Sequence, residues 1–515
     1  MSVREQTQEE LISHQDRRKA GWLTVMANRR ELLLFVLLLF SFSYFFPRWA
    51  SWGQNSRMDL VMAVVDKGTL SIDDYHENTG DVALLEGHYY SEKSIGPSLL
   101  AMPFYKVFKI LVSLPPMAEL MTRVASNEAL QNTLLEEGAG LTSDKLYFAM
   151  ALTFVTFFVI TIPSAILALL FYRFLGDFLP DERQRLFLTL AFALCTMAFP
   201  YSNMFFQHQL SSSALFCAFY MLYKMRQTLL SWRWLWVVGL LFSLALISEY
   251  STVLIAAVLF IYAIYFLPDK RQLFWIFVGG APLILVMAAY NYAIFRTPLP
   301  MGYLYDPNYI EWHHTGLVTV TYPKLNVLWN ITFSPFRGLF FLSPFLLLAA
   351  PGFIYFWQVK KYWPEFFVSL VNVLSFLMFN ASSVVWWGGY AVGPRYLIPM
   401  LPYLTFPIGF FLAKAWRAIW ARVLTYALVI ASSLVVWIET ISGQSFPDFT
   451  PNPLFDYSLP RFLSGDIARN VGMVLGLSRW NSLLPLAIFL AAMVFLLLRN
   501  ASVRQSRESF EVLER

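Results

Sequence analysis

The chain has 515 residues, 57% of them hydrophobic, 18% aromatic and 14% charged, with 38 Lys and Arg against 33 Asp and Glu. Soluble domains carry about 25% charged residues, so this composition, with a mean hydropathy of +0.54, excludes a soluble enzyme, a disordered scaffold and a nucleic-acid binder. It marks an integral membrane protein, and the net charge of +5 belongs to its cytoplasmic loops rather than to a nucleic-acid partner.

Residues 1–30 are charged and no small-residue cleavage site follows the next apolar run, so 1–30 is expected to be a cytoplasmic segment and the first span a retained anchor. Apolar runs of the length needed to cross a hydrocarbon core of about 30 Å fall at 31–49, 146–171, 187–203, 209–223, 234–250, 251–268, 273–295, 339–357, 363–380, 396–413, 421–440 and 483–498. The pattern predicts an all-α integral membrane protein with about twelve transmembrane helices within 31–498, followed by a cytoplasmic tail, 499–515. The run 97–113 carries Lys106 and Lys109 at amphipathic spacing and reads as a helix lying in the interface. Counting it as a span reverses every later loop and spoils the bias of Lys and Arg toward short inner loops.

With both termini cytoplasmic, three long outer segments remain, 50–145, 296–338 and 441–482, and loops this long usually carry function. His76, His88, His208, His313 and His314 also fall on or near this face, so the working surface is expected to be periplasmic or extracellular. Cys195 and Cys217 lie in apolar stretches where neither a disulfide framework nor a tetrahedral metal site is expected. The adjacent His313 and His314 are poorly spaced to present both rings to one ion, so no metal site is assigned.

Chemistry concentrates in the first outer loop. Asp59 follows the first span on a short helix, 59–67, where a carboxylate can take a proton from an acceptor hydroxyl; Asp73, Asp74 and Asp81 are rival bases, and a solvated helix-start aspartate is the simpler role for Asp59. The run from Tyr89 to Pro97 leads into the interface helix. Its free N–H groups, the hydroxyls of Ser91 and Ser94, and the Lys93 ammonium form a candidate phosphate cradle, against the alternative of a turn capped by Ser94 with Lys93 snorkelling to headgroups. Arg57, His88, Tyr89 and Tyr90 are candidate substrate-binding residues in the same loop.

Further on, Trp386-Trp387-Gly388-Gly389-Tyr390 precedes Gly393-Pro394-Arg395-Tyr396. Glycines admit close backbone approach to a ligand, and Trp387 and Tyr390 offer either a sugar-stacking face or an interfacial belt. Arg395, at the mouth of a span, calls for an anionic partner. Arg337, His208 and Glu249 are ionisable groups at outer span ends, which suit either a substrate or a structural ion pair. No phosphate loop, dinucleotide fingerprint, zinc-protease helix or nucleophile elbow is present, so any reaction must draw on an already activated substrate.

The stretches Asn55-Ser56-Arg57, Gly68 to Asp73, Thr79-Gly80-Asp81 and Gly87 to Lys93, with a second patch at Gly393-Pro394-Arg395-Tyr396-Leu397, resemble the polyprenyl-phosphate-sugar-dependent glycosyltransferases of the GT-C fold. That family includes protein O-mannosyltransferases, the lipid A aminoarabinose transferase and bacterial membrane glycosyltransferases of the family 39 type. The resemblance implies transfer of a sugar with inversion, on the outer face, from a polyprenyl-phosphate donor to a glycan, lipid or protein hydroxyl. It assigns the base to a first-loop aspartate, Asp59 being the best match, and the leaving phosphate to Lys93, Arg395 and Arg337. It fixes no cofactor, because divalent metal is needed by some relatives and dispensable in others. The chain departs from the protein mannosyltransferases in having no acid beside Asp59, which weakens the case for a protein acceptor. Three rival classes stand beside this one: a multispanning transporter or flippase, whose charged sites belong at mid-depth on broken helices, a glycan ligase or polymerase that uses a lipid pyrophosphate, and a structural or assembly subunit without catalysis.

Overall fold

A computed structural model describes residues 29–513, apart from 48–50, 135–140, 300–301, 314, 317–318, 445 and 449. Most of the expected cytoplasmic segment 1–30 and His314 lie outside the described residues, as do the side chains of His313 and of the tail beyond Arg499.

Helices and one hairpin account for the fold. In chain order they are α1 (Arg29–Ser43), α2 (Trp52–Met62), β1 (Val82–Leu85), β2 (His88–Ser91), α3 (Gly96–Val112) and α4 (Pro115–Ala125). There follow α5 (Ser143–Leu175), α6 (Glu182–Leu194), α7 (Gln207–Arg226), α8 (Trp232–Ser248), α9 (Tyr250–Phe266) and α10 (Lys270–Phe295). The last are α11 (Leu325–Thr332), α12 (Pro344–Trp357), α13 (Lys360–Ala381), α14 (Arg395–Ala415), α15 (Ile419–Ile441) and α16 (Arg479–Leu497), the last of these continuing as helix to Leu513.

The protein is an all-α multi-pass membrane protein, and every apolar run of the sequence carries a helix. Six of them, α5, α10, α13, α14, α15 and α16, are long and apolar enough to cross a membrane, or seven if α3 and α4, bent by 91°, count as one span. The others are shortened by local chemistry. Glu249, in extended backbone, parts α8 from α9, and Pro344 starts a fresh helix after Ser343 because it cannot continue the preceding ladder. Polar residues, including Gln207, His208, Gln209 and Ser211 to Ser213, occupy the first two turns of α7, and all of them are buried.

Packing sorts the helices by depth. α14 is almost wholly buried, whereas α10, α15 and α16 turn Leu285, Ile430, Leu434, Ile488 and Phe495 outward, each more than half exposed. Such an apolar exterior is suited to lipid. α8 and α10 meet backbone to backbone: a Cβ on Gly239 would lie 1.8 Å from the Ile276 carbonyl oxygen, and one on Gly279 would lie 1.7 Å from that of Trp236. Small residues are what permit such contact between helices in lipid.

Charges gather at the two ends of the bundle. At the end remote from the first outer loop, Arg173 grips Glu31 through Nε at 2.9 Å and a terminal nitrogen at 2.7 Å. Nearby, Arg30 pairs with Glu182, Lys224 with Asp177 at 2.6 Å and Arg226 with Glu365 at 2.6 Å.

The opposite end holds two departures from the sequence reading. The helix expected over 59–67 begins earlier, at Trp52, and runs on through one wider turn to Lys67. The loop also contains the antiparallel pair β1–β2, from Val82 opposite Ser91 to Leu85 opposite His88. Its turn is Glu86-Gly87, with φ of 52° and 82°, the two-residue geometry whose twist matches that of the strands it joins.

Candidate active site

The first outer loop is fastened onto the ends of the spans by backbone contacts that leave no slack. A Cβ on Gly96 would meet Ser248 at 2.2 Å, and Ser94 Oγ donates to the Ser248 carbonyl. Thus the start of α3 is pinned against the end of α8. Ser91 Oγ and Ser56 Oγ lie 2.8 Å apart, which ties β2 to α2, and Ser98 Oγ donates to the Arg57 carbonyl at 3.0 Å.

These ties bring four acidic and basic side chains of the first loop to one place. Lys93 Nζ lies 2.9 Å from Asp81 Oδ2 and also contacts Glu92 Oε1. It sits 5.4 Å above the Tyr303 ring. Arg57, 1% exposed, donates to the Gly53 carbonyl and to Gln207 Oε1 of α7, close to the Asp81 carboxylate. From the far part of the chain, Arg395 stacks over Phe206 at 4.8 Å, and the same ring lies 5.8 Å from the Arg57 guanidinium. Lys93 thus contacts Asp81 directly, and Arg57 and Arg395 share the Phe206 ring beside it. The Nε atoms of both arginines are buried and have no hydrogen-bond acceptor among the described residues.

The second outer segment covers this cluster. Asn308 Nδ2 donates to the Gly80 carbonyl at 2.8 Å, and its backbone N–H donates at 2.8 Å to Oδ1 of Asp306, a fully buried carboxyl. Burial, with the neighbouring Asp81 charge, pushes the Glu92 carboxyl well above the usual range against the opposing pull of Lys93. Burial raises Asp306 as well.

The sequence-derived candidates divide into three groups. Asp81, Lys93, Arg57 and Arg395 converge on the cluster. Asp59 stands apart from it: 0% exposed, it accepts one bond from Asn78 Nδ2 at 3.1 Å and its other oxygen has no donor. Burial pushes that carboxyl well above the usual range. Ser91 and Ser94 are engaged with Ser56 and Ser248, so of the expected cradle Lys93 alone faces the cluster.

Asp73 belongs to the hairpin rather than to the cluster. It accepts from the Tyr89 N–H at 2.7 Å and from His88 Nδ1 at 2.7 Å, while Tyr89 stacks on His76 at 4.1 Å. Asp73, His88 and Tyr90, with Lys67, Asp74 and Tyr75, line a polar surface cavity of about 340 Å³.

Arg337, His208, Glu249, Trp387 and Tyr390 form the surroundings. Arg337, 1% exposed, donates to the carbonyls of Phe336 at 3.1 Å, Trp387 at 3.2 Å and Gly389 at 3.0 Å. It thereby organises the glycine-rich loop. His208 Nδ1 lies 3.0 Å from Glu249 Oε1, both groups being buried, so these two candidates face each other beside Gln207. Trp387 meets Trp312 edge to face at 5.3 Å, and Tyr390 is 53% exposed at the loop surface.

Sequence reasoning passed over Glu92, Tyr303, Asp306 and Phe206. Glu92 was signalled by its place beside Lys93, and Asp306 by being an acid in the second long outer segment; Phe206 carried no mark among 48 phenylalanines. Among the described residues no group of three or more His, Cys, Asp or Glu is disposed to hold a metal ion.

No protein-family model matches the chain, and no curated protein matches it. Among solved structures the chain is similar to ArnT from Cupriavidus metallidurans bound to undecaprenyl phosphate, at 14% identity and a TM-score of 0.46 over 94% of this chain and 78% of that one. It is similar also to the same protein in the apo state, at 13% identity and a TM-score of 0.45 over 92% and 75%. A third is the Archaeoglobus fulgidus oligosaccharyltransferase in the apo form, at 11% identity and a TM-score of 0.46 over 80% of this chain and 56% of that one.

Proposed function

We propose that the protein is a membrane glycosyltransferase of the GT-C type that moves a sugar from a polyprenyl-phosphate donor to a hydroxyl acceptor. The observation that carries this reading is the gathering of Lys93 on Asp81 with Arg57 and Arg395 on the neighbouring Phe206 ring, the two arginines each having a buried Nε–H that no acceptor among the described residues matches. Unmatched buried donors beside an ammonium favour an anion, and a phosphate accepts from several at once. The cluster sits where the first outer loop meets the ends of α7 and α8, a height that suits a phosphate whose isoprenoid tail lies in lipid.

In this reading Asp81 is the general base. It takes the proton of the acceptor hydroxyl as that oxygen attacks the anomeric carbon from the face opposite the phosphate; the bond from carbon to phosphate oxygen breaks and the configuration inverts. Lys93 and Arg395 hold the charge that develops on the departing lipid phosphate, and Arg57 orients Asp81. Asp59 is a structural acid and Asp73 a hairpin anchor. The topology proposed with it has about twelve crossings, cytoplasmic termini and the site on the outer face.

The test is transfer of labelled sugar from a panel of polyprenyl-phosphate sugars to a mixed glycolipid and protein acceptor fraction, with the protein in nanodiscs. Asp81→Asn is expected to lose transfer by about 10²–10⁴-fold while still binding donor, and Asp59→Asn and Asp73→Asn to remain active. Full transfer by Asp81→Asn removes the base from Asp81. Binding of no donor by any form sinks the glycosyltransferase and favours the transporter, whereas transfer only from an added polyprenyl-pyrophosphate-linked glycan favours the ligase.

A further inference from the structure

At the end of the bundle remote from the first outer loop, Glu31, Glu182, Asp177 and Glu365 each hold an arginine or a lysine. One corner of that end has more cations than acids to match them. Arg183 at the start of α6, Lys414 in the last turn of α14, Arg417 just beyond it and Arg422 in the first turn of α15 have no carboxylate partner among the described residues. The nearest acid, Asp181, caps α6 by accepting from the Arg183 backbone N–H at 2.8 Å. Arg185 turns away from this corner, over the Tyr172 ring at 5.5 Å.

Helix geometry brings the cations together. α6 and α15 start at the same end and run side by side: Phe187 meets Tyr426 at 5.5 Å and, farther along the chain, Phe199 meets Trp437 at 4.7 Å. Arg183 comes four residues before Phe187 and Arg422 four before Tyr426, so each stands one turn nearer its helix start on the face that makes the contact. Trp416, beside Arg417, completes the aromatic group at 6.0 Å from Phe187 and 5.6 Å from Tyr426. The Arg422 Nε atom is buried with no acceptor among the described residues, and a buried donor is costly until an acceptor reaches it. From this corner an apolar stripe runs along α15. Ile419, Val423, Tyr426, Ile430 and Leu434 recur at the spacing of one helix face, each from 48% to 66% exposed, over a rise of about 22 Å.

We propose that this corner binds an anionic phospholipid, with its phosphodiester among Arg183, Arg417 and Arg422 and an acyl chain along the α15 stripe. Charge complementarity selects this occupant. A phosphodiester accepts several charge-assisted hydrogen bonds at once, including the one Arg422 Nε lacks. A zwitterionic headgroup would bring its own cation into a corner that already holds four, whereas an anionic one brings none. The stripe spans more than half of a hydrocarbon core of about 30 Å, so it lines one leaflet for a bound chain. Trp416 and Tyr426 are the residue types that settle at headgroup level. The site uses no residue of the Asp81 cluster, so it stands whether or not the protein transfers a sugar.

The experiment is native mass spectrometry of the full-length protein in detergent, with an equimolar mixture of phosphatidylglycerol and phosphatidylcholine of identical chains. The wild type is expected to retain one phosphatidylglycerol in preference. Arg422→Gln is expected to reduce that preference about fivefold; Arg183→Gln and Arg417→Gln, both exposed in the wild type and so least able to disturb folding, are expected to do the same. Lys360→Gln combined with Lys361→Gln removes two cations from the start of α13 at the same end, where Arg226 donates to the Lys361 carbonyl, and is expected to leave the preference unchanged. No preference in the wild type, or an equal loss in the Lys360 and Lys361 variant, overturns the site in favour of a general attraction between a basic face and anionic lipid. Thermal stabilisation by inorganic phosphate equal to that by phosphatidylglycerol overturns the lipid and assigns the corner to a small anion.

Discussion

Asp59 and Asp81 lie in the same loop and carry the same functional group, yet their surroundings fit them for opposite work. Asp81 meets an ammonium at 2.9 Å, whereas Asp59 is sealed with a single amide donor. A carboxyl kept neutral by burial costs stability once its unfolded counterpart ionises, because the folded state must retain a proton the unfolded state gives up. The sign follows from the raised folded pKa: stability is greatest in acid and is lost, at about 1.4 kcal/mol per pH unit, as pH rises above the ordinary carboxylate range. Asp59→Asn is expected to flatten this slope. Thermal unfolding across pH, wild type beside variant, checks it, and a steeper loss in the variant would assign Asp59 a charged partner.

At the scale of elements, the helices and their order were legible in the sequence because apolar length is a strong signal, and each of the twelve runs carries one. The interruptions at Glu249 and at Ser343-Pro344 weigh less in such a pattern, which is why α8, α9 and α12 read as full spans. The hairpin was missed for a different reason. Its strands are four residues each, and Glu86-Gly87 lacks the Asn or Asp that usually marks such a turn. Half of the cluster, Lys93, Asp81, Arg57 and Arg395, was visible as charge near apolar span ends. Glu92 and Asp306 were not, since their burial exists only once two segments more than two hundred residues apart are docked.

The glycine contact between α8 and α10 gives a prediction at the same scale. Gly279→Ala places a methyl group against the Trp236 backbone, which no side-chain rotation relieves, so the helices must part. A loss of about 1–3 kcal/mol is expected, and it is read by unfolding in detergent. An unaffected variant would imply that these helices separate freely in the native protein.

At the scale of the whole molecule, the two charged ends impose an orientation. The end with Arg173, Arg226, Lys224 and their acidic partners is the basic one, and it is expected to face the cytoplasm. Cysteine placed at Glu86 is expected to react with a membrane-impermeant maleimide added outside intact cells, and cysteine placed at Lys270 only after lysis. The native thiols do not confuse the assay: Cys195 is buried and Cys217 half-buried. Reversed labelling would turn the protein over and put the cluster on the inner face.

Arg337 holds its loop entirely by main-chain oxygens, those of Phe336, Trp387 and Gly389. Every amino acid offers the same oxygen, so this grip is indifferent to what the loop's side chains are. Exchange of Trp387 or Tyr390 therefore leaves this main-chain grip in place, while removing contacts of their own such as that of Trp387 with Trp312. A single arginine thus fixes the rim by its backbone, and on the proposed glycosyltransferase reading substitutions in the rim are expected to alter which acceptor is chosen while leaving the cluster beneath it in place.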